Sequence, residues 1–198
     1  MDTTKERPTQ PLVMRLSPAF DLNADTFFHV AQLNKDLRME LSAEGDLIVM
    51  PPAGGRTGNR NAELTYQFVA WNRQEERGKI FDSSTGFRLP NNAVRSPDVS
   101  WVSEERLAEL TGEQMDKFLP LCPEFVLELR SPTDRSSVVK EKMQEYMENG
   151  AELGWLIDPQ ERCVYIYTPD GVEEQVEPQE VRGTGVLEGF VLELGEIW

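Results

Sequence analysis

Cysteine is scarce in this sequence, which has only Cys122 and Cys163, in no C-x-x-C pair or Cys/His cluster. The sequence therefore favours neither a disulfide framework nor a structural zinc site, and a reducing cytoplasm is the expected location. No stretch approaches the ~20 apolar residues that a membrane-spanning helix needs. The first residues, Met1 to Arg7, lack the apolar core of a signal peptide, so we expect a soluble protein.

Histidine is scarcer still, because His29 is the only one. A Ser–His–Asp site would depend on this residue, and the sequence contains no G-x-S-x-G elbow. His29 stands among Phe27, Phe28 and Val30, which favours a packed or half-exposed side chain over a base or metal ligand. The sequence therefore argues against histidine-based catalysis.

Basic residues are also few: 20 lysines and arginines stand against 35 acidic residues, giving a formal charge of −15. Nucleic-acid-binding proteins normally present basic surfaces, so this balance argues against non-specific attraction to a phosphate backbone. A local basic rim or a bridging metal could still bind a phosphate, because the net charge says nothing about how charge is distributed.

The composition that is present is globular. The 198 residues are 39% hydrophobic and 28% charged, which fits one domain with a real core. Residues 1–15 are polar and contain proline, so we expect a flexible N-terminal arm followed by a single domain over residues 16–198. Strand-like and helix-like segments alternate from residue 60 to 158, which predicts an α/β or α+β fold with a mixed central sheet, flanking helices and extra terminal strands.

Two helices carry the clearest periodicity. Leu64, Phe68 and Trp71 at positions i, i+4 and i+7 predict a helix over about residues 59–74. The preceding glycine-rich stretch, residues 54–58, lacks the G-K-[ST] ending of a phosphate-binding loop, so a flexible loop is expected. The second helix is predicted from a stripe that ends before Asn149-Gly150 and consists of Val139, Met143, Tyr146 and Met147.

Two carboxylates form the most informative pattern. Asp98 follows Pro97 in a strand-like run, and Glu128 lies within the apolar run at residues 125–129. On neighbouring strands both could bind one divalent cation, since Mg²⁺ prefers hard oxygen ligands from one or two carboxylates. Such a cation polarises a phosphate and lowers the pKa of an attacking water. The main-chain carbonyl of Leu129 is a possible additional ligand.

A purely structural explanation of the same acids stays open at this point. Asp98 could cap the turn after Pro97, and Glu128 could form an ion pair with Arg130 or Arg95. A charge on a buried strand is costly unless it is paired or metal-bound. The position of Glu128 therefore supports an ion pair and a metal site about equally.

A lysine on the second helix could complete a site. Lys140 and Lys142 lie about 160° apart on the helical wheel, so at most one of them can face the acids. Either lysine could instead lie on a solvated face near Glu141 or Glu145.

Several stretches together resemble the PD-(D/E)xK nuclease superfamily and, more closely, its Uma-two family of restriction-endonuclease-like proteins. These stretches are the hairpin from Gly45 to Pro52, residues 60–64, 81–87 and 96–98, Glu128-Leu129-Arg130-Ser131-Pro132, and residues 142–146 running on to 154–159. The likeness covers about residues 16–198. It implies a restriction-endonuclease-like core and a Mg²⁺- or Mn²⁺-dependent endonuclease that cuts DNA, with a homodimer as the expected assembly.

The resemblance also implies roles for particular residues. Asp98 and Glu128 would be the metal ligands, and Lys142, rather than Lys140, would replace the lysine that usually follows the second acid by two residues. This chain has Arg130 at that position, and arginine stays protonated but can hold a phosphate through its planar fork. The implied outer members of the site are Glu40, Asn61 and Glu63.

Three functions are consistent with these observations. The first is a metal-dependent DNA endonuclease using Asp98, Glu128 and Lys142. The second is a catalytically silent module that keeps the nuclease fold for binding or assembly, which the charge of −15 and the presence of Arg130 favour. The third is a metal-dependent hydrolase of a small phosphoester, which would tolerate an acidic surface better than DNA binding does.

Overall fold

A computed structural model describes residues 10–198 and contains two main β-sheets and five α-helices. The helices are α1 Ala24–Leu33, α2 Gly55–Glu75, α3 Glu104–Ala108, α4 Gly112–Met115 and α5 Ser136–Glu148. The strands are β1 Leu12–Met14, β2 Arg38–Leu41, β3 Leu47–Met50, β4 Gly78–Asp82, β5 Phe87–Arg88, β6 Val94–Arg95, β7 Val99–Ser103, β8 Phe125–Leu129, β9 Leu153–Asp158, β10 Cys163–Thr168, β11 Gly171–Val176, β12 Glu180–Arg182 and β13 Val191–Glu193.

The central sheet is mixed, as the sequence predicted. Its six strands follow the order β11-β10-β9-β8-β7-β4, in which only β8 and β9 pair in parallel. A second sheet has the order β1-β3-β2-β6-β5, and β12 pairs with β13. Because β6 runs directly into β7, residues 96–98 connect the two main sheets. This connection carries Asp98.

Apolar side chains cover both faces of the central sheet. On one face, Leu64 and Phe68 of α2 pack in a cluster with Trp155. On the other face, Met143 and Tyr146 of α5 belong to a second buried cluster. All five residues of β8 are buried, so the apolar run at residues 125–129 is a central strand covered on both faces. An acid on this strand must therefore find its partners inside the protein.

Two predicted boundaries were wrong. Helix α2 begins at Gly55 rather than near Asn59, so the glycine-rich stretch is the first turn of a helix and not a loop. Gly54 caps this helix with extended backbone, at φ −68° and ψ 158°. The second boundary is that of the flexible arm predicted over residues 1–15. Leu12–Met14 form β1, which pairs with β3 and is the edge strand of the second sheet. Residues 1–9 of that arm lie outside the described residues.

The two cysteines and the single histidine lie in different environments. Both cysteines are buried and form no disulfide. His29 is exposed on α1, where its ring lies 6.1 Å from that of Phe28. Across residues 10–198, no helix combines the length and apolar character needed to cross a membrane.

The C-terminal hairpin packs on the core of the central sheet. Val181 and Leu192 lie in the same buried cluster as Phe68 and Trp155. We therefore propose that residues 16–198 form one cooperative domain, and we expect Leu192→Ala to lower its free energy of unfolding by about 2 kcal/mol. Urea unfolding followed by circular dichroism and by tryptophan fluorescence would measure the effect. Two separate transitions would contradict a single domain.

Candidate active site

The candidate site lies at one end of the central sheet. Strands β8 and β9 end there, and β7 begins there because it runs antiparallel to β8. Glu128 is the fourth residue of β8, and Asp98 immediately precedes β7. The adjacent helices contribute Asn61 from α2 and Lys142 from α5. Glu128 therefore lies on β8, and Asp98 lies at the start of the neighbouring strand β7.

Asp98 is fixed by two hydrogen bonds. The side-chain amide of Asn61 donates to Oδ1 at 3.1 Å, and the main-chain N–H of Leu129 donates to Oδ2 at 2.9 Å. Burial raises the pKa of Asp98, whereas the Leu129 N–H and the charge of Lys142 act in the opposite direction. The backbone of β8 and helix α2 thus orient this carboxylate together.

Glu128 is 7% exposed and points toward α5. Its Oε1 accepts a hydrogen bond from the Tyr146 hydroxyl at 3.0 Å and lies 2.8 Å from Nζ of Lys142. Burial raises the pKa of Glu128 to about 7, and the nearby charges of Asp98 and Glu40 act in the same direction while Lys142 opposes them. A cation beside Glu128 and Asp98 would therefore favour the ionised form of Glu128.

Lys142 joins two buried acids. Its Nζ lies 2.8 Å from Oε1 of Glu128 and 2.8 Å from Oε1 of Glu40. Burial lowers the pKa of Lys142, but these two carboxylates outweigh that effect and raise it above the usual value. Lys142 is therefore a cation at neutral pH. Lys140 instead lies 3.8 Å from the ring centroid of Tyr165, so only one of the two lysines contacts the acids.

Glu40 anchors Lys142 from the second sheet. It accepts hydrogen bonds from Nη1 of Arg95 at 3.2 Å and from the Ser96 N–H at 3.0 Å. Burial alone would raise the pKa of Glu40, but Lys142 and Arg95 hold it below the usual value. Arg95 in turn donates from Nε to Oε2 of Glu145 at 2.5 Å.

The sequence did not predict this role for Arg95 or Glu145. The only local signal is that Glu145 follows Lys142 by three residues, on the same side of α5. From the sequence, Arg95 is only a possible ion-pair partner of Glu128. In the structure its acidic partners are Glu40 and Glu145.

Arg130 lies outside the Lys142 network. Its Nη1 is 2.6 Å from Oδ2 of Asp158, which is fully buried, and its Nε donates to the main-chain carbonyl of Asp134 at 3.2 Å. The other oxygen of Asp158 accepts the N–H groups of Gln160 and Glu161. Arg130 therefore stabilises the turn after β9 instead of replacing the lysine of the nuclease motif.

Glu63 contacts neither Asp98 nor Glu128 in this structure. Its Oε1 accepts a hydrogen bond from Gln67, one turn further along α2, at 2.9 Å. Of the three implied outer members, Asn61 and Glu40 thus contact the site, through Asp98 and Lys142 respectively. The ion pair that Glu128 makes is with Lys142, and neither Arg95 nor Arg130 is its partner.

The oxygen atoms at this end of the sheet suit a hard divalent cation. Asn61 Oδ1 is buried beside Asp98 and has no hydrogen-bond partner among the described residues. The N–H and C=O of one strand residue point to the same side, so the Leu129 carbonyl faces the Asp98 side of β8. Across residues 10–198 no three acidic, histidine or cysteine side chains are placed to hold a metal by themselves. Mg²⁺ needs only one or two carboxylates because it retains water ligands. Asp98 and Glu128, together with the Asn61 and Leu129 oxygens, therefore fit the ligand requirements of this ion.

A family model described as "Putative restriction endonuclease", Uma2, matches residues 24–195. The chain belongs to the Uma2 family. This is the Uma-two family that the sequence motifs resemble. None of the curated proteins matches the sequence.

A solved structure supports the fold of this Uma2-family protein. It is the crystal structure of an Anabaena variabilis protein described as a "putative nuclease belonging to DUF820", with a TM-score of 0.72. The two sequences are 18% identical, and the alignment covers 89% of this chain and 97% of the other. At this identity the similarity establishes a shared fold, which agrees with the restriction-endonuclease-like core expected from the sequence.

Proposed function

We propose that this Uma2-family protein is a metal-dependent endonuclease that hydrolyses DNA phosphodiester bonds, with Mg²⁺ or Mn²⁺ as its cofactor. The observation that carries the proposal is the convergence of Asp98, Glu128 and Lys142 at one end of the central sheet, with Lys142 Nζ 2.8 Å from Glu128. The family match and the oxygen-rich surroundings of Asp98 support it.

In this proposal Asp98 and Glu128 hold the metal, and the Asn61 and Leu129 oxygens are further candidate ligands. A bound divalent ion polarises the scissile phosphate and lowers the pKa of a water. Lys142, which stays protonated beside Glu128 and Glu40, orients a water or neutralises charge that develops on the phosphate. It does not accept the proton of that water, because its raised pKa keeps it fully charged.

Cleavage of supercoiled plasmid DNA tests this function. The purified protein should nick or linearise the plasmid with Mg²⁺ or Mn²⁺, and excess EDTA should stop the reaction. Equal cleavage in EDTA would contradict the metal site. If the protein neither cleaves DNA nor binds Mn²⁺ in calorimetry, it is the catalytically silent module; if it hydrolyses only a small phosphodiester, it is the small-substrate hydrolase.

We expect metal affinity to depend on pH through Glu128. Because the pKa of this buried acid is raised to about 7, protons compete with the metal below that pH and cease to compete above it. The affinity for Mn²⁺ should fall about tenfold between pH 8 and pH 6, and isothermal titration calorimetry would measure it. In Glu128→Gln the affinity should be weaker and nearly independent of pH over this range. A native affinity that does not change with pH would argue against Glu128 as a ligand.

Homodimerisation is a further part of the proposal. Cutting both strands of a duplex requires two sites, and two copies of one chain supply them. Light scattering coupled to size-exclusion chromatography, with and without DNA, would measure the assembly.

A further inference from the structure

A polar cavity of about 690 Å³ opens beside the first turns of α2. Its lining residues are Arg56, Asn59, Arg60, Pro159, Glu196 and Trp198. Arg60 directly precedes Asn61, whose side chain donates to Asp98, and Pro159 directly follows β9. The cavity therefore lies at the same end of the central sheet as Asp98 and Glu128.

Two arginines share one wall of this cavity. Arg56 and Arg60 are one helical turn apart, so their side chains lie on the same side of α2. Within residues 10–198, no carboxylate oxygen lies within the 4.0 Å that defines a salt bridge for either of them, although Glu196 also lines the cavity. Burial lowers the pKa of Arg60, and the positive charge of Arg56 lowers it further, as expected for two cations that face the same space.

Arg56 and Arg60 place two positive charges side by side in a chain with a net charge of −15. By contrast, Arg95 pairs with Glu40, and Arg130 pairs with Asp158. Two neighbouring cations without an acidic partner suit a ligand that carries negative charges in series. A phosphodiester strand has such charges, whereas a small phosphoester offers only one phosphate.

We propose that Arg56 and Arg60 bind successive phosphates of the DNA strand that enters the active site. The inference rests on the proposed nuclease function and makes it more specific, because it selects a polynucleotide over a small phosphoester. It also gives an acidic chain a local contact for DNA, a basic rim on α2 at the same end of the central sheet as Asp98.

Fluorescence anisotropy with a labelled 20-base-pair DNA duplex in EDTA measures this contact without cleavage. We expect Arg56→Gln and Arg60→Gln each to weaken binding about tenfold at low salt, since each removes one phosphate contact. The slope of log affinity against log salt should become shallower by about 0.9 for each arginine removed. Arg73→Gln is the matched control, because it makes the same charge change at the exposed end of α2, about 20 Å from Arg60 and about 26 Å from Arg56 along the helix axis at 1.5 Å per residue.

The outcomes separate this inference from the nuclease function. If Arg56→Gln and Arg60→Gln bind the duplex like Arg73→Gln, the proposed phosphate contact on α2 is wrong. The plasmid-cleavage assay tests the nuclease activity independently of that result. If the native protein does not bind the duplex in EDTA, or binds an RNA duplex of the same sequence more tightly, the assignment to DNA is overturned. Thermal unfolding of each variant should match that of the native protein, because Arg56 is exposed and Arg60 is only partly buried.

Discussion

Asp98→Asn should reduce metal-dependent DNA cleavage by about a thousandfold or more, corresponding to the several kcal/mol that a bound metal supplies in the transition state. The substitution keeps the size of the side chain and can keep the hydrogen bond from the Leu129 N–H. It removes the negative charge that a divalent cation requires. Initial rates of plasmid nicking with saturating Mg²⁺, compared for the native protein and the variant, would measure the loss.

The matched control for this substitution is Asp170→Asn. Asp170 is exposed in the turn between β10 and β11, so the same change of charge there should leave both cleavage and metal binding unaltered. The thermal midpoint of Asp98→Asn in EDTA should lie close to that of the native protein, since the burial of a charged Asp98 is itself unfavourable. Cleavage by Asp98→Asn within threefold of the native rate would exclude Asp98 as a metal ligand.

Lys142→Met should lower the free energy of unfolding by about 3 kcal/mol at pH 8, because it leaves two buried carboxylates without their shared cation. The loss should shrink as the pH falls toward 5. Glu128 already has a raised pKa of about 7, and without Lys142 the pKa of Glu40 also rises. An acid whose pKa is higher in the folded state stabilises that state at low pH and loses this contribution as the pH rises through the folded pKa.

Two comparisons make the Lys142 result specific. Lys140→Met removes the contact with the Tyr165 ring and should cost about 1 kcal/mol, with little dependence on pH. The double variant Glu128→Gln with Lys142→Met should be more stable at pH 8 than Lys142→Met alone, because Lys142 is the cation that pairs with the buried Glu128 carboxylate and Glu40 still keeps Arg95. Chemical denaturation at pH 5 and pH 8 would measure all four proteins. Equal losses for the two lysine variants at both pH values would contradict the buried network.

Local patterns in the sequence predicted much of the architecture. The stripe of Met143 and Tyr146 predicted α5, and the near-continuous apolar run that contains Glu128 predicted a buried strand; both were confirmed. The angle between Lys140 and Lys142 showed in advance that only one lysine could face the acids. These features were predictable because helical and strand periodicity are determined by neighbouring residues.

Other boundaries depended on contacts that no local pattern contains. The glycines at the start of α2 indicated a loop, yet the helix packs on the central sheet through Leu64 and Phe68, and this packing outweighs their weak helix propensity. Leu12–Met14 form a strand only because β3 presents an edge to them.

The sequence by itself determined that Asp98 and Glu128 belong to extended segments, because each segment has its own apolar pattern. Only the tertiary structure decided which charges meet. Lys142 contacts Glu40, which is 102 positions away, and Arg95 contacts the same acid across 55 positions. Arg130, the basic residue closest in sequence to Glu128, pairs with Asp158 instead. Partners of buried charges are set by which strands and helices pack together, and spacing along the chain carries no information about that.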